Sequence, residues 1–162
     1  MNKLLILLLL STFLFSCAEK TPFDKGEPAP SFVTTDVEGN SQTIEKHTKN
    51  GKVVMLYFWA DWCPTCKQEF PETQDYYEKL QKEGLEILAI NVKQPKEASE
   101  KFKEQFGATF PMLIDADGKI SDLYKVEELP TNFFIDEEGK IIRKIVGWVS
   151  EQQAEVILKQ QK

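Results

Sequence analysis

Two thiols three residues apart, Cys63 and Cys66, stand where an apolar run ends and a helix-forming segment begins. The run is Val53 to Trp59, and helical composition extends from Lys67 to Gln81. A helix start carries unpaired backbone N–H groups and the positive end of the helix dipole, both of which favour a thiolate. Such a setting lowers a cysteine pKa from about 8.5 into the range of roughly 3.5 to 7.5. Cys63 is therefore the expected nucleophile, able to attack a disulfide. Cys66 is near enough to attack the resulting mixed disulfide and release the partner, which makes it the expected resolving thiol. Pro64 suits the first helical turn by its fixed φ, and the Thr65 hydroxyl is placed to hydrogen-bond a thiolate. Trp62 reads as an aromatic beside the site and Trp59 as packing. Glu69 follows Cys66 by three residues and Cys63 by six, so a helix sets it on the same side, beneath the thiols. Burial there would raise its pKa toward the range useful for general-base work, whereas a solvated helix glutamate is the plainer alternative.

The flanks of the pair carry more information than the spacing alone. Phe58-Trp59-Ala60-Asp61-Trp62-Cys63 resembles the active-site approach of the thioredoxin superfamily, and C-x-x-C beside a β-α-β pattern agrees with it. Lys67-Gln68-Glu69-Phe70-Pro71 resembles the membrane-attached TlpA/ResA-like, AhpC/TSA-related branch, thiol-disulfide oxidoreductases related to bacterial cytochrome c maturation proteins. The resemblance covers about residues 29–160. It implies that Glu69 takes part in proton exchange with the cysteines, since the buried strand acid of thioredoxins proper is replaced here by Tyr57. Pro130-Thr131-Asn132-Phe133 is similar to the family's Pro-Thr-x-Phe segment, which implies a cis Leu129–Pro130 bond in a loop beside the disulfide. On that footing Leu129 touches substrate, and Trp62, Pro64, Thr65, Pro130 and Thr131 line its path. Cys-Pro-Thr-Cys departs from the Cys-Gly-Pro-Cys loop of thioredoxins, which leaves the redox potential open. Pro71 removes a backbone donor and is expected to kink the helix.

The address of the chain is written at its start. Lys3, the apolar stretch Leu4 to Leu10, then Thr12 to Phe15 and the small Ser16 read as an export signal over residues 1–16, too short for a membrane span. Leu14-Phe15-Ser16-Cys17 resembles the lipobox of bacterial lipoproteins, which implies a lipidated Cys17 as the first mature residue and an anchor in membrane lipid. An ordinary cleaved signal or an uncleaved anchor are the alternatives. Residues 17–28 are polar and proline-rich and read as a flexible tether, with a single thioredoxin-like domain over 29–162. The chain of 162 residues carries a net charge of −6 and shows no basic patch, which argues against nucleic-acid binding. An exported compartment is oxidising, so the pair is held in a disulfide or kept reduced by a dedicated donor.

The elements that must position these residues follow from periodicity. Ser31 to Thr35 and Ser41 to Ile44 flank Asp36-Val37-Glu38-Gly39-Asn40 and predict an extra N-terminal hairpin. Val53 to Trp59 and Leu85 to Val92 are continuous apolar runs, hence buried strands joined by a parallel crossover. Pro95 to Phe106 has helical composition with a stop at Gly107, and a short strand begins at Met112. Asn132 to Asp136 and Ile141 to Val146 form an antiparallel hairpin, followed by a helix from an N-cap at Ser150 to Gln160. The expected fold is α/β: a thioredoxin-like central mixed sheet flanked by helices on both faces.

Other chemistries fit less well. Zinc needs about four ligands, and the chain has one C-x-x-C, a distant Cys17 and the single His47, which reads as a surface residue in the charged stretch Glu45 to Lys52. A copper carrier would show wider cysteine spacing and a later histidine, and the peroxidatic Pro-x-x-x-Thr-x-x-Cys pattern is missing around both cysteines. No metal and no cofactor are expected. The expected activity is a disulfide reductase acting on exported disulfide-containing proteins, re-reduced by a membrane thiol electron donor and working as a monomer. A disulfide oxidase or isomerase, and a non-enzymatic binding lipoprotein with a structural disulfide, are the alternatives.

Overall fold

The computed structural model describes residues 23–161. The two long apolar runs pair as the parallel strands β3 (Val53–Trp59) and β4 (Leu85–Val92), and nearly every residue in them is buried because helices cover both faces. The remaining strands extend this pair. β5 (Met112–Asp115) adds in parallel to β4, while β6 (Thr131–Ile135) and β7 (Ile141–Val146) add antiparallel beyond β3, giving the order β5-β4-β3-β6-β7. A separate two-stranded sheet, β1 (Thr34–Thr35) with β2 (Ser41–Gln42), precedes them.

Alternation along β3 divides the core into two clusters. Val53, Met55, Tyr57 and Trp59 face α2 (Pro64–Leu80), α3 (Lys96–Phe106) and α5 (Glu151–Lys159), which contribute Cys66 and Phe70, Phe102, and Ala154, Ile157 and Leu158. Val54, Leu56 and Phe58 face α1 (Ile44–Thr48) and α4 (Lys119–Leu123), which supply Ile44 and Ile120, with Tyr124 beyond. The expected thioredoxin-like mixed sheet, covered on both sides, is the architecture observed.

Several boundaries moved for identifiable reasons. α2 begins at Pro64, three residues before Lys67, because Cys63 serves as its N-cap and proline is tolerated in a first turn. The helix continues through Pro71 to Leu80. The N-terminal hairpin is shorter than its pattern suggested. Asp36 accepts from Asn40 N and Gln42 Nε2, and Val37 N–H donates to Met112 O, so the first arm turns onto the edge of β5. Ile44 then opens α1 under a Thr43 cap instead of ending a strand. α4 was not anticipated; both carboxylate oxygens of Asp115 accept from its first-turn amides, Ile120 N at 2.8 Å and Ser121 N at 3.0 Å.

The segment read as tether up to residue 28 is already docked from Phe23. Phe23 stacks on Tyr124 and meets Phe133 edge-on, while Gly26 N donates to Ile141 O and Ile141 N to Glu27 O. This covers part of the outer edge of β7, a common way to protect an edge strand.

His47 requires a correction: it is 9% exposed, not a surface residue. Its Nε2 lies 3.0 Å from Gln42 Oε1 and its Nδ1 3.3 Å from Glu86 Oε2. Glu86 also receives Lys52 Nζ at 2.6 Å and Tyr77 Oη at 2.8 Å. Burial alone would raise the Glu86 pKa, but hydrogen bonds from His47, Lys52 and Tyr77 outweigh it and hold the carboxyl at about 2. The hydropathy of a charged stretch did not reveal this, because Glu86 on β4, the carboxylate shared by His47 and Lys52, lies 34 residues beyond Lys52.

Candidate active site

β3 ends at Trp59, the backbone leaves the sheet at Ala60, and Cys63 caps α2 in extended geometry with φ −81° and ψ 110°. Its Sγ accepts a hydrogen bond from the Cys66 amide at 3.1 Å, in the place an Asp or Ser oxygen takes at an ordinary N-cap. That hydrogen bond comes from the backbone and not from the Thr65 hydroxyl. Cys63 and Cys66 form a disulfide with Cα atoms 5.3 Å apart. Reduction would leave a Cys63 thiolate facing the same amide at the positive end of a seventeen-residue helix, an arrangement that lowers a thiol pKa. Cys66 is fully buried, and Cys63 retains the small remaining access, 3% against 0%. An incoming sulfur therefore meets Cys63 first.

Around the pair, Trp62 is 64% exposed and Pro64 and Thr65 are exposed on the first turn of α2. Trp59 is wholly buried, its ring 4.1 Å from that of Phe102. Glu69 is 1% exposed. Burial is the main cause that raises its pKa, to about 7; the Tyr57 hydroxyl pulls it partly back and the charge of Glu72 pushes it further up. Neither Tyr57 Oη nor Glu69 Oε2 completes a hydrogen bond of good geometry, so desolvation dominates this carboxyl. Burial likewise raises the Tyr57 hydroxyl well above its ordinary range, and Glu69 adds to it.

The Leu129–Pro130 bond is cis. Pro130 O accepts from Gly147 N at 2.8 Å, and Asn132 Nδ2 donates to Gly147 O at 2.9 Å, which ties the loop after β7 to this segment. Leu129 is half-buried and packs against the cluster containing both cysteines. Thr131 is differently placed from expectation: its side chain is buried and its hydroxyl donates to Glu128 O at 2.7 Å within its own loop, so that hydroxyl is not offered outward. Val146 and Trp148 remain exposed beside the loop. Cys17 lies outside the described residues.

Two residues escaped the sequence reading. Tyr57 was noted only as the replacement for an acid, yet it faces Glu69 across the α2–β3 interface. Gln94, in the turn after β4, reaches Asp61 with both ends of its carboxamide, receiving Asp61 N at 2.8 Å and donating to Asp61 Oδ1 at 2.5 Å. A loop glutamine 33 residues away carries no local signal of that contact.

Comparison with known proteins adds independent information. Residues 25–144 match the AhpC/TSA family. The chain is similar to the thiol-disulfide oxidoreductase ResA of Geobacillus thermodenitrificans, 40% identical over 157 residues that cover 94% of this chain and 89% of that protein. It is 39% identical to ResA of Bacillus subtilis over 83% of this chain and 74% of that one. Among solved structures, StoA from Bacillus subtilis superimposes with a TM-score of 0.68 at 27% identity, covering 82% of this chain and 98% of that one. A protein from Chlorobium tepidum, provisionally assigned as thiol:disulfide interchange protein DsbE, does so with a TM-score of 0.76 at 34% identity over 85% and 99%.

Proposed function

The chain belongs to the AhpC/TSA family and is a ResA-like thiol-disulfide oxidoreductase, and from that premise we propose that it is a lipid-anchored, extracytoplasmic reductase of exported proteins. The observation that carries the chemistry is the Cys63 Sγ at the N-cap of α2, bonded to the Cys66 amide. Cys63 thiolate attacks one sulfur of a substrate disulfide, and the other sulfur leaves as a thiolate that takes a proton. Cys66, once deprotonated, attacks Cys63 Sγ, expels the second substrate thiol and closes the Cys63–Cys66 disulfide. Two electrons have then passed to the substrate, and a membrane dithiol donor restores the pair.

Glu69 is the group that accepts the Cys66 proton in this cycle. It is buried on the thiol side of α2, and a carboxyl titrating near 7 exchanges protons at neutral pH. Substrate lies along Trp62 and the Leu129–Pro130 loop. With the Pro130 carbonyl bonded to Gly147, Leu129 offers the backbone groups that pair with it. Lipid on Cys17 keeps the domain close to the bilayer: six residue steps to the docked Phe23 span at most about 20 Å. Apocytochrome c is the substrate class suggested by the resemblance of the Lys67–Pro71 segment.

Redox titration of the full chain in detergent, in dithiothreitol or glutathione buffers, tests the direction. A potential at or below roughly −270 mV fits a reductant, one near roughly −120 mV reverses the direction, and a pair that never exchanges removes the reading. Cys66→Ser should accumulate the mixed disulfide with substrate, and Cys63→Ser should form none. Cys17→Ala should release the chain from membranes.

A further inference from the structure

We propose that Gln94 is a positioning residue for the redox site: its two-ended bond to Asp61 holds the loop that presents Trp62 to a protein substrate. The inference rests on the reading that Cys63 attacks that substrate. Asp61 and Trp62 belong to the four-residue passage from the end of β3 to the cap of α2, which has few other ties. Cys63 N–H reaches Ala60 O at 3.2 Å, and Cys63 itself is held by α2. Trp62 is largely in solvent, and among the described residues its indole makes no hydrogen bond or ring contact. The Gln94 carboxamide supplies that missing constraint, accepting from the Asp61 backbone amide and donating to the Asp61 carboxylate. The pairing sets both the peptide plane and the side chain of the residue directly before Trp62.

Gln94 can act as an arm because its own base is rigid. Lys93 takes a left-handed conformation, φ 53°, and its amide donates to Asp115 O at 3.0 Å. Asp115 is buried and caps α4 with both carboxylate oxygens. The loops after β3, β4 and β5 are thereby laced together at the carboxyl ends of three parallel strands, the edge at which open α/β sheets place their sites. The sulfur of Cys63 is oriented by a different device, the first turn of α2. Loss of the lace therefore disturbs the approach of a large substrate more than the intrinsic reactivity of the thiol pair.

The test compares full-length wild type, Gln94→Ala and the double variant Gln94→Glu/Asp61→Asn, in detergent, with insulin as protein disulfide and an aromatic dinitro disulfide as small probe. In the double variant an amide donates to a carboxylate with the partners exchanged, so the two-ended bond can reform. Gln94→Ala should lower kcat/KM for insulin about ten-fold through KM, as loss of a binding contact does, with the small-probe rate and the redox equilibrium constant within about two-fold of wild type. The double variant should recover most of the insulin rate. Parallel loss on both probes, with a lower unfolding midpoint, would make the pair a general strut and overturn the proposal. So would an unchanged insulin rate in Gln94→Ala. Wild type that reduces neither insulin nor the small probe would instead remove the underlying oxidoreductase cycle, and wild type active on the small probe alone would overturn a docking role for Trp62 toward protein disulfides.

Discussion

Glu69 and Tyr57 place two buried ionisable groups face to face one turn along α2 from Cys66, and their chemistry is separable by substitution. The Glu69 pKa is raised to about 7 by burial, so a reaction step that needs its carboxylate gains rate as pH rises through 7. Glu69→Gln should abolish that limb in the pH profile of disulfide exchange, measured from pH 5 to 9. Tyr57→Phe removes the group that pulls the Glu69 pKa down, so the limb should move to higher pH in that variant. A profile identical in all three proteins would place proton exchange elsewhere. The types and spacing of Cys63, Cys66 and Glu69 were readable because a helix sets residues three apart, Cys66 and Glu69, onto one side and Cys63 at its start. Tyr57 was less so, since only the packing of α2 on β3 brings it to Glu69.

At the scale of elements, the site depends on helices whose starts are capped by side chains. Cys63 caps α2, Ser150 caps α5 with a reciprocal bond from Gln153, and Asp115 caps α4. Asp115→Ala would leave two buried amides without partners and should cost about 2 kcal/mol in urea unfolding, the upper end for a lost cap because both amides are buried. The long strands and α3 were legible as apolar runs and as a helix ended by Gly107, which stands in a left-handed conformation, φ 67°. α4 was not legible, because five residues are too few to show a period, and its cap lies in the preceding strand. Ile44 was assigned to a strand by its hydrophobicity, and the Thr43 cap turned it into a helix start.

Across the whole molecule two buried carboxyls pull stability in opposite directions with pH. Glu86 has a folded pKa of about 2, below the ordinary glutamate range, so its contribution is present above about 4.5 and is lost as pH falls toward 2. Glu69 has a folded pKa of about 7, so its stabilising contribution is present below about 4.5 and is lost as pH rises through 7. Each shift corresponds to about 3 kcal/mol, and together they place the stability maximum of the oxidised protein near pH 5. Urea unfolding at pH 3, 5 and 8 checks this: Glu69→Gln should flatten the fall between 5 and 8, and Glu86→Gln should flatten the fall between 5 and 3. A maximum at pH 8 in wild type would contradict it. The sequence by itself determined the redox pair, the strand and helix that carry it and the thioredoxin-like class, because these rest on local spacing and on periodicity within single segments. Only the tertiary structure decided that His47 is buried against Glu86, that the Thr131 hydroxyl turns inward, that the chain docks from Phe23, and that Gln94 grips Asp61. Those contacts join segments 33 to 115 residues apart or turn on a side chain's direction, and no local pattern records which distant surfaces a folded sheet brings together.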